Sequence, residues 1–141
     1  MSVDAETTQA WLSDFLAAQG AVAGTVHGVC AKDPDVLELR AAVNIPPKVQ
    51  EITATVPKGK GMAGLAYDRM QPVSTCNLKT DETGDVRPGA KAVDAQAAVA
   101  LPVVRGGTLV AVVGLAWVDG RDTPESMLEA LTAAAADVPV G

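Results

Sequence analysis

Apolar residues recur along this chain with two different periods, and the switch between them marks out its elements. Near the start, Trp11, Leu12, Phe15 and Leu16 fall at i, i+1, i+4 and i+5, on one side of a helix spanning about residues 6–19. Gly20 follows, and glycine readily takes the left-handed conformation that ends a helix. Packing on a core is the first reading of this stripe, and a dimer surface is the second. The pattern then shortens. Residues 22–31 are small or β-branched, Lys32-Asp33-Pro34-Asp35 is a turn signal, and residues 36–43 are again apolar-rich, which predicts an antiparallel hairpin. In its second strand Leu37, Leu39 and Ala41 alternate with Glu38 and Arg40, predicting one wet face. In its first strand Val22, Val26 and Cys30 share one face, and Thr25, His27 and Val29 the other. A lone strand histidine of this kind is read as solvated or hydrogen-bonded, ahead of a catalytic role.

Asn44-Ile45-Pro46-Pro47 breaks the strand, and residues 48–55 predict a short helix anchored by Val49 and Ile52. Lys58-Gly59-Lys60-Gly61 opens another over residues 62–69, with Met62, Leu65 and Ala66 as its apolar members. A strand over residues 73–78 starts after Pro72, and a long polar stretch fills residues 79–96. Residues 98–104 and 108–118 flank Arg105-Gly106-Gly107, a strong hairpin signal. The second of these strands is apolar throughout, as a central strand should be. Thr123 as cap, Pro124 and Glu125 announce a last helix, whose buried stripe is Met127, Leu128, Leu131 and Ala135. The order predicts an α+β domain: a central antiparallel sheet of about five to six strands, with helices covering it.

Composition narrows the function. A chain of 141 residues is one domain. Aromatics are only 3%, too few for the stacking platforms of single-strand nucleic-acid binders. The net charge is −6, and the basic residues are scattered, so neither nucleic acid nor a membrane surface is an expected partner. No apolar run is long enough to span a bilayer. The first eight residues are polar and acidic, unlike a signal peptide, so the expected location is cytoplasmic. Two cysteines, Cys30 and Cys76, and a single histidine cannot supply a zinc site, and no metal or cofactor is expected.

Gly59-x-Gly61-x-x-Gly64 matches the glycine pattern of dinucleotide-binding folds, with Asp81 downstream. The context is wrong. Pro57 and Lys58 intervene before the glycines, the strands read as hairpins, and the next one runs out at Asn77-Leu78 with no acid at its end. The same segment, Val56 to Ala66, resembles the Gly-x-Gly-(apolar)-x-Gly stretch of GAF domains. In order after it come Gln71-Pro72-Val73, the polar stretch 79–96, Val99-Ala100-Leu101-Pro102-Val103, Gly106-Gly107 and Val112-Val113-Gly114-Leu115, as in that family.

The resemblance implies a central sheet with the terminal helices on one face, and short helices plus the long loop enclosing a small-molecule pocket on the other. It implies a ligand-sensing module, homodimeric through its terminal helices. The chain has no room for an output domain, so a stand-alone module acting in signalling or interaction is expected. Cysteine–histidine pairs of bilin-binding members and the Asn-Lys-Phe-Asp-Glu motif of cyclic-nucleotide-binding members are absent. The alternative is a thiol-dependent reductase similar to the family's free methionine-R-sulfoxide reductases, working through Cys76. Against it, Met62 stands where those enzymes carry a cysteine, and residues 79–96 contain none. The expected ligand site is roofed by residues 79–96 and walled by Tyr67, Cys76 and Asn77. In it, Arg87 and Lys91 contact an anionic ligand, and Asp94 or Gln96 orients it.

Overall fold

The computed structural model describes residues 5–75, 97–118 and 124–140. Its elements run α1 (Ala5–Gln19), β1 (Ala23–Val29), β2 (Val36–Val43), α2 (Pro47–Ile52), β3 (Thr55–Pro57), α3 (Gly61–Arg69), β4 (Val73–Thr75), β5 (Ala97–Arg105), β6 (Thr108–Trp117) and α4 (Glu125–Ala135). The six strands form one sheet in the order β3-β2-β1-β6-β5-β4, with every neighbouring pair antiparallel. The central strand β6 is joined to β5 by Gly106 and Gly107, at φ 61° and 80°. Two successive positive φ values suit the tight hairpin turn whose twist matches the strands, and glycine reaches them at no steric cost.

The two faces of the sheet are covered differently. Leu12, Phe15 and Leu16 of α1 share one buried cluster with Leu131 and Ala135 of α4 and with Val26, Val99, Leu101, Val113, Leu115 and Trp117 of the sheet. Both terminal helices therefore lie on the same face, as their stripes predict. Trp11 is half-buried and stacks on Phe15 with ring centroids 4.8 Å apart. Side-chain tethers hold this layer in place. Trp117 Nε1 donates to the Gln19 carbonyl at the end of α1, at 3.1 Å. Arg105 Nη2 donates to the carbonyls of Ala136 and Val138 beyond α4, at 2.8 and 2.7 Å. A cation there also suits the negative end of the helix dipole. Thr8 Oγ1 donates to the Pro139 carbonyl at 2.7 Å, tying the last described residues back to α1.

On the opposite face α2 and α3 cover the sheet, with Ala66 of α3 packed on Leu37, Val56, Val73, Leu109 and Val112. The edge strand β3 has three residues, short enough to be a poor template for edge-to-edge pairing.

The structure departs from the sequence pattern in four places. Alternation along β2 breaks: Val26 and His27 pair with Ala41 and Leu39, so Arg40 is an extra residue in a bulge. The slip sends Leu37 to the α3 side and Ala41 to the α1 side, although their spacing predicts one face. Val22 precedes β1 and packs with Val49, Ala98 and Ala116, on the side opposite Val26. In α2 only Val49 is an anchor, since Ile52 is 42% exposed. Thr55–Pro57 belongs to an edge strand that follows α2.

Candidate functional site

Where β5 and β6 pair over residues 98–101 and 113–117, the bulky residues point one way. Val99, Leu101, Val113, Leu115 and Trp117 meet the terminal helices, while Ala98, Ala100, Gly114 and Ala116 alternate with them towards α2 and α3. Strand register stacks these small residues into rows. Ala23, Ala116 and Ala98 are cross-strand neighbours, and so are Thr25, Gly114 and Ala100. With little side chain rising from two adjacent rows, the sheet has a shallow floor at its middle. A cavity of about 130 Å³ lies over that floor.

Its walls come from the connecting segments. Ile45, Val49 and Thr53 supply one side, Val56 of β3 another, and Lys60, Gly61, Met62 and Ala63 at the start of α3 close over it. The glycines of the fingerprint-like motif build this cover. Gly59 and Gly61 have φ of 87° and 66°, values L-residues rarely adopt. A Cβ on Gly64 would run into the Pro57 carbonyl oxygen. Gly59 N–H donates to the Gly64 carbonyl at 2.8 Å, and Lys60 N–H to the Pro57 carbonyl at 3.0 Å. The motif is thus a tight turn from an antiparallel edge strand into a lid helix. It has no parallel strand–helix–strand unit around it and is no dinucleotide site.

Most of the lining is apolar, with a few polar groups among it. His27 is 3% exposed, so it is hydrogen-bonded rather than solvated. Its Nε2 lies 2.9 Å from the Thr53 carbonyl just past α2. A carbonyl only accepts, so Nε2 carries the proton in this contact. The bond ties α2 to β1 across the end of the cavity. Thr25 is half-buried, and its Oγ1 stands 2.8 Å from where a Cβ on Gly114 would be, so the hydroxyl lies over the floor. Lys60 is exposed at the rim.

Of the expected site residues only Tyr67 is among those described. It is half-buried on α3, its hydroxyl donates to the Pro34 carbonyl, and Lys58 Nζ lies 4.9 Å from its ring centroid. Tyr67 is not one of the residues lining the cavity. Cys76, Asn77, Arg87, Lys91, Asp94 and Gln96, like the whole 79–96 stretch, lie outside the described residues. Sequence reasoning did not single out Thr25, Ala98, Ala100 or Ala116 as site residues. Their signal is the alternation of large and small residues within β5 and β6. Cys30 is a free, half-buried thiol. Among the described residues no cluster of His, Cys, Asp or Glu could hold a metal ion, and no helix is long and apolar enough to cross a membrane.

A six-stranded antiparallel sheet, two terminal helices on one face and a helix-lidded cavity on the other agree with a family model for the GAF domain, which matches residues 6–139. The chain belongs to the GAF domain family. Solved structures of the same fold include the GAF domain of a phosphoenolpyruvate-protein phosphotransferase from Coxiella burnetii. It is 17% identical with a TM-score of 0.75, over 94% of this chain and 77% of that one. The type II free methionine-R-sulfoxide reductase from Thermoplasma acidophilum is 14% identical with a TM-score of 0.72, over 92% and 85%. The second GAF domain of DevS from Mycobacterium smegmatis is 20% identical with a TM-score of 0.65, over 95% and 88%. No curated protein sequence matches significantly. Identities this low carry the fold alone. Signalling domains and reductases both use it, and function rests on the site each carries rather than on the fold.

Proposed function

We propose that this GAF domain is a small-molecule-binding module whose site is the cavity between the sheet and the helices α2 and α3. The observation that carries the reading is the pair of cross-strand rows, Ala23–Ala116–Ala98 and Thr25–Gly114–Ala100, beneath a cavity of about 130 Å³. A protein interior is normally filled to crystal-like density. A hollow over the middle of a sheet, lined by apolar groups and a few polar ones, is the usual form of a ligand site.

The reductase reading has less support. Met62, a thioether without a thiol, sits at the cavity where such chemistry would start, and Cys76 lies outside the described residues. Sensing would be relayed by a second copy, docked on the layer formed by α1 and α4. Exposed small residues such as Ala17, Ala18, Ala133 and Ala134 allow close approach there.

The test is native mass spectrometry of the purified protein, followed by a thermal-shift screen of metabolites. A ligand at a hundred times its dissociation constant adds about 2.7 kcal/mol of stability. A stabilising compound whose effect disappears in Ala116→Leu supports the cavity. One that keeps its full effect in that variant puts the site elsewhere.

A further inference from the structure

We infer that the cavity accepts a compact, uncharged, mainly apolar molecule of the size of a phenol, seated on the small-residue floor and hydrogen-bonded to Thr25. The inference rests on the reading of the cavity as the ligand site and specifies its ligand class. Size comes first. The cavity measures about 130 Å³, and an engineered apolar cavity of about 150 Å³ holds one benzene. A ligand body of roughly six to eight non-hydrogen atoms fits by that comparison. A whole nucleotide exceeds that volume.

Charge comes second. Ala98, Ala100, Ala116, Val49, Val56 and Met62 are apolar, and the lining contains no carboxylate among the described residues. Among the described lining residues the one permanent cation, Lys60, is exposed at the rim. An ionised group lowered onto the floor would give up its hydration with no charged partner there among the described residues, at a cost of several kcal/mol. A neutral ligand meets no such cost.

Polarity comes third. The Thr25 hydroxyl stands over Gly114, 2.8 Å from where a Cβ on that residue would be. The missing Cβ leaves room for a hydroxyl on the floor that can donate or accept. One hydroxyl or amine on the ligand matches it. Any larger residue at 98, 100 or 116 would occupy the ligand's volume, so these alanines set the size limit.

The test uses the full chain titrated with phenol, toluene, sodium benzoate and cyclic AMP. Backbone amide shifts in NMR spectra locate binding, and thermal denaturation reports stability. The expected result is saturable phenol binding that shifts the amides of Thr25, Ala100 and Gly114. Ala100→Leu adds three carbons to the floor; it should weaken phenol at least tenfold while keeping or raising its own Tm. If that variant does not fold, Ala116→Val makes the same test. Thr25→Val, which keeps the shape and removes the hydroxyl, should erase the preference for phenol over toluene. Phenol binding that both filling variants leave unchanged overturns the inference. If benzoate or cyclic AMP binds these amides more tightly than phenol and is blocked by the filling variants, the cavity remains the ligand site and the uncharged class is wrong. If no probe shifts these amides and no metabolite in the wider screen does so, the ligand-site reading falls as well.

Discussion

The side chain of Gln9 does the work of a missing strand. β3 pairs with β2 only at Val36, Leu37 and Glu38, with one further bond from Leu39 N–H to the Ala54 carbonyl. Past that point, at Ala42, no strand among the described residues pairs with β2 on its outer side. There the Gln9 amide donates from Nε2 to the Ala42 carbonyl at 2.6 Å, and its Oε1 accepts from the Ala42 N–H at 3.1 Å. One primary amide satisfies a donor and an acceptor on a single residue, as a neighbouring strand would. Each such bond contributes about 0.5–1.5 kcal/mol net, less where water can substitute, so Gln9→Ala should cost about 1–2 kcal/mol. For a domain of this size that lowers Tm by roughly 3–8 °C. Gln9→Glu sharpens the test. At pH 7 the new carboxylate can accept from Ala42 N–H but sets a negative oxygen against the Ala42 carbonyl, so it should destabilise more than alanine does. Protonated, it donates and accepts like the amide. The folded state thus raises this group's pKa above the unfolded value of about 4.3. The stability it contributes is present below about pH 4.3 and lost as pH rises through the folded pKa. Urea denaturation of wild type and both variants at pH 7 and near pH 4 reads this directly. The gap between Gln9→Glu and wild type should shrink in acid. If that gap is equal at the two pH values, or if Gln9→Ala matches wild type, the amide is not acting as a surrogate strand.

Other outcomes follow from the same geometry. Arg105→Ala removes two charge-assisted bonds to the carbonyls beyond α4 and should cost about 1–3 kcal/mol in denaturant unfolding, whereas Arg105→Lys should recover part of the loss. Gly64→Ala forces a methyl against the Pro57 carbonyl; it should destabilise by about 1–3 kcal/mol, and an unchanged Tm would refute the tight-turn account of the motif. The protein should not turn over free methionine-R-sulfoxide with a thiol reductant, because Met62 and not a cysteine lines the cavity at the start of α3; turnover that vanishes in Cys76→Ser would establish the alternative activity. Light scattering at high micromolar concentration should find a dimer that Ala17→Glu with Ala133→Glu converts to monomer, and a monomeric wild type would refute the helical interface.

Much of the architecture is legible in the sequence because local chemistry dictates it. Gly20 ends α1 at φ 67°, Gly106-Gly107 closes the β5–β6 hairpin, and both terminal stripes bury themselves on one face. The misses have a common cause, which is tertiary register. Arg40 offers no local hint that it will bulge out of β2, since only its pairing against Val26 and His27 makes it the extra residue. Thr55–Pro57 is too short to show a period, and it becomes a strand only because β2 has a free edge to pair with.

The cavity is harder to read than the fold because it is made of absent side chains, and small residues on a sheet have two possible consequences. Gly24 shows one. A Cβ there would lie 2.6 Å from Leu16 Cδ2 and 2.7 Å from the Gly114 carbonyl, so its smallness lets α1 settle closely onto the sheet. Ala98, Ala100, Gly114 and Ala116 show the other, a hollow. What separates the two cases is whether the covering helix is free to descend. On one face α1 has moved down until Leu12 and Leu16 fill the space. On the other, α2 is fixed to β1 through the His27–Thr53 bond, and α3 is set by the turn in which Gly59 N–H donates to the Gly64 carbonyl. These attachments hold both helices at a fixed height above the small-residue rows. The large and small alternation in β5 and β6 is present in the sequence, but it takes the tethers at His27 and Gly59 to turn small residues into volume that a ligand can occupy.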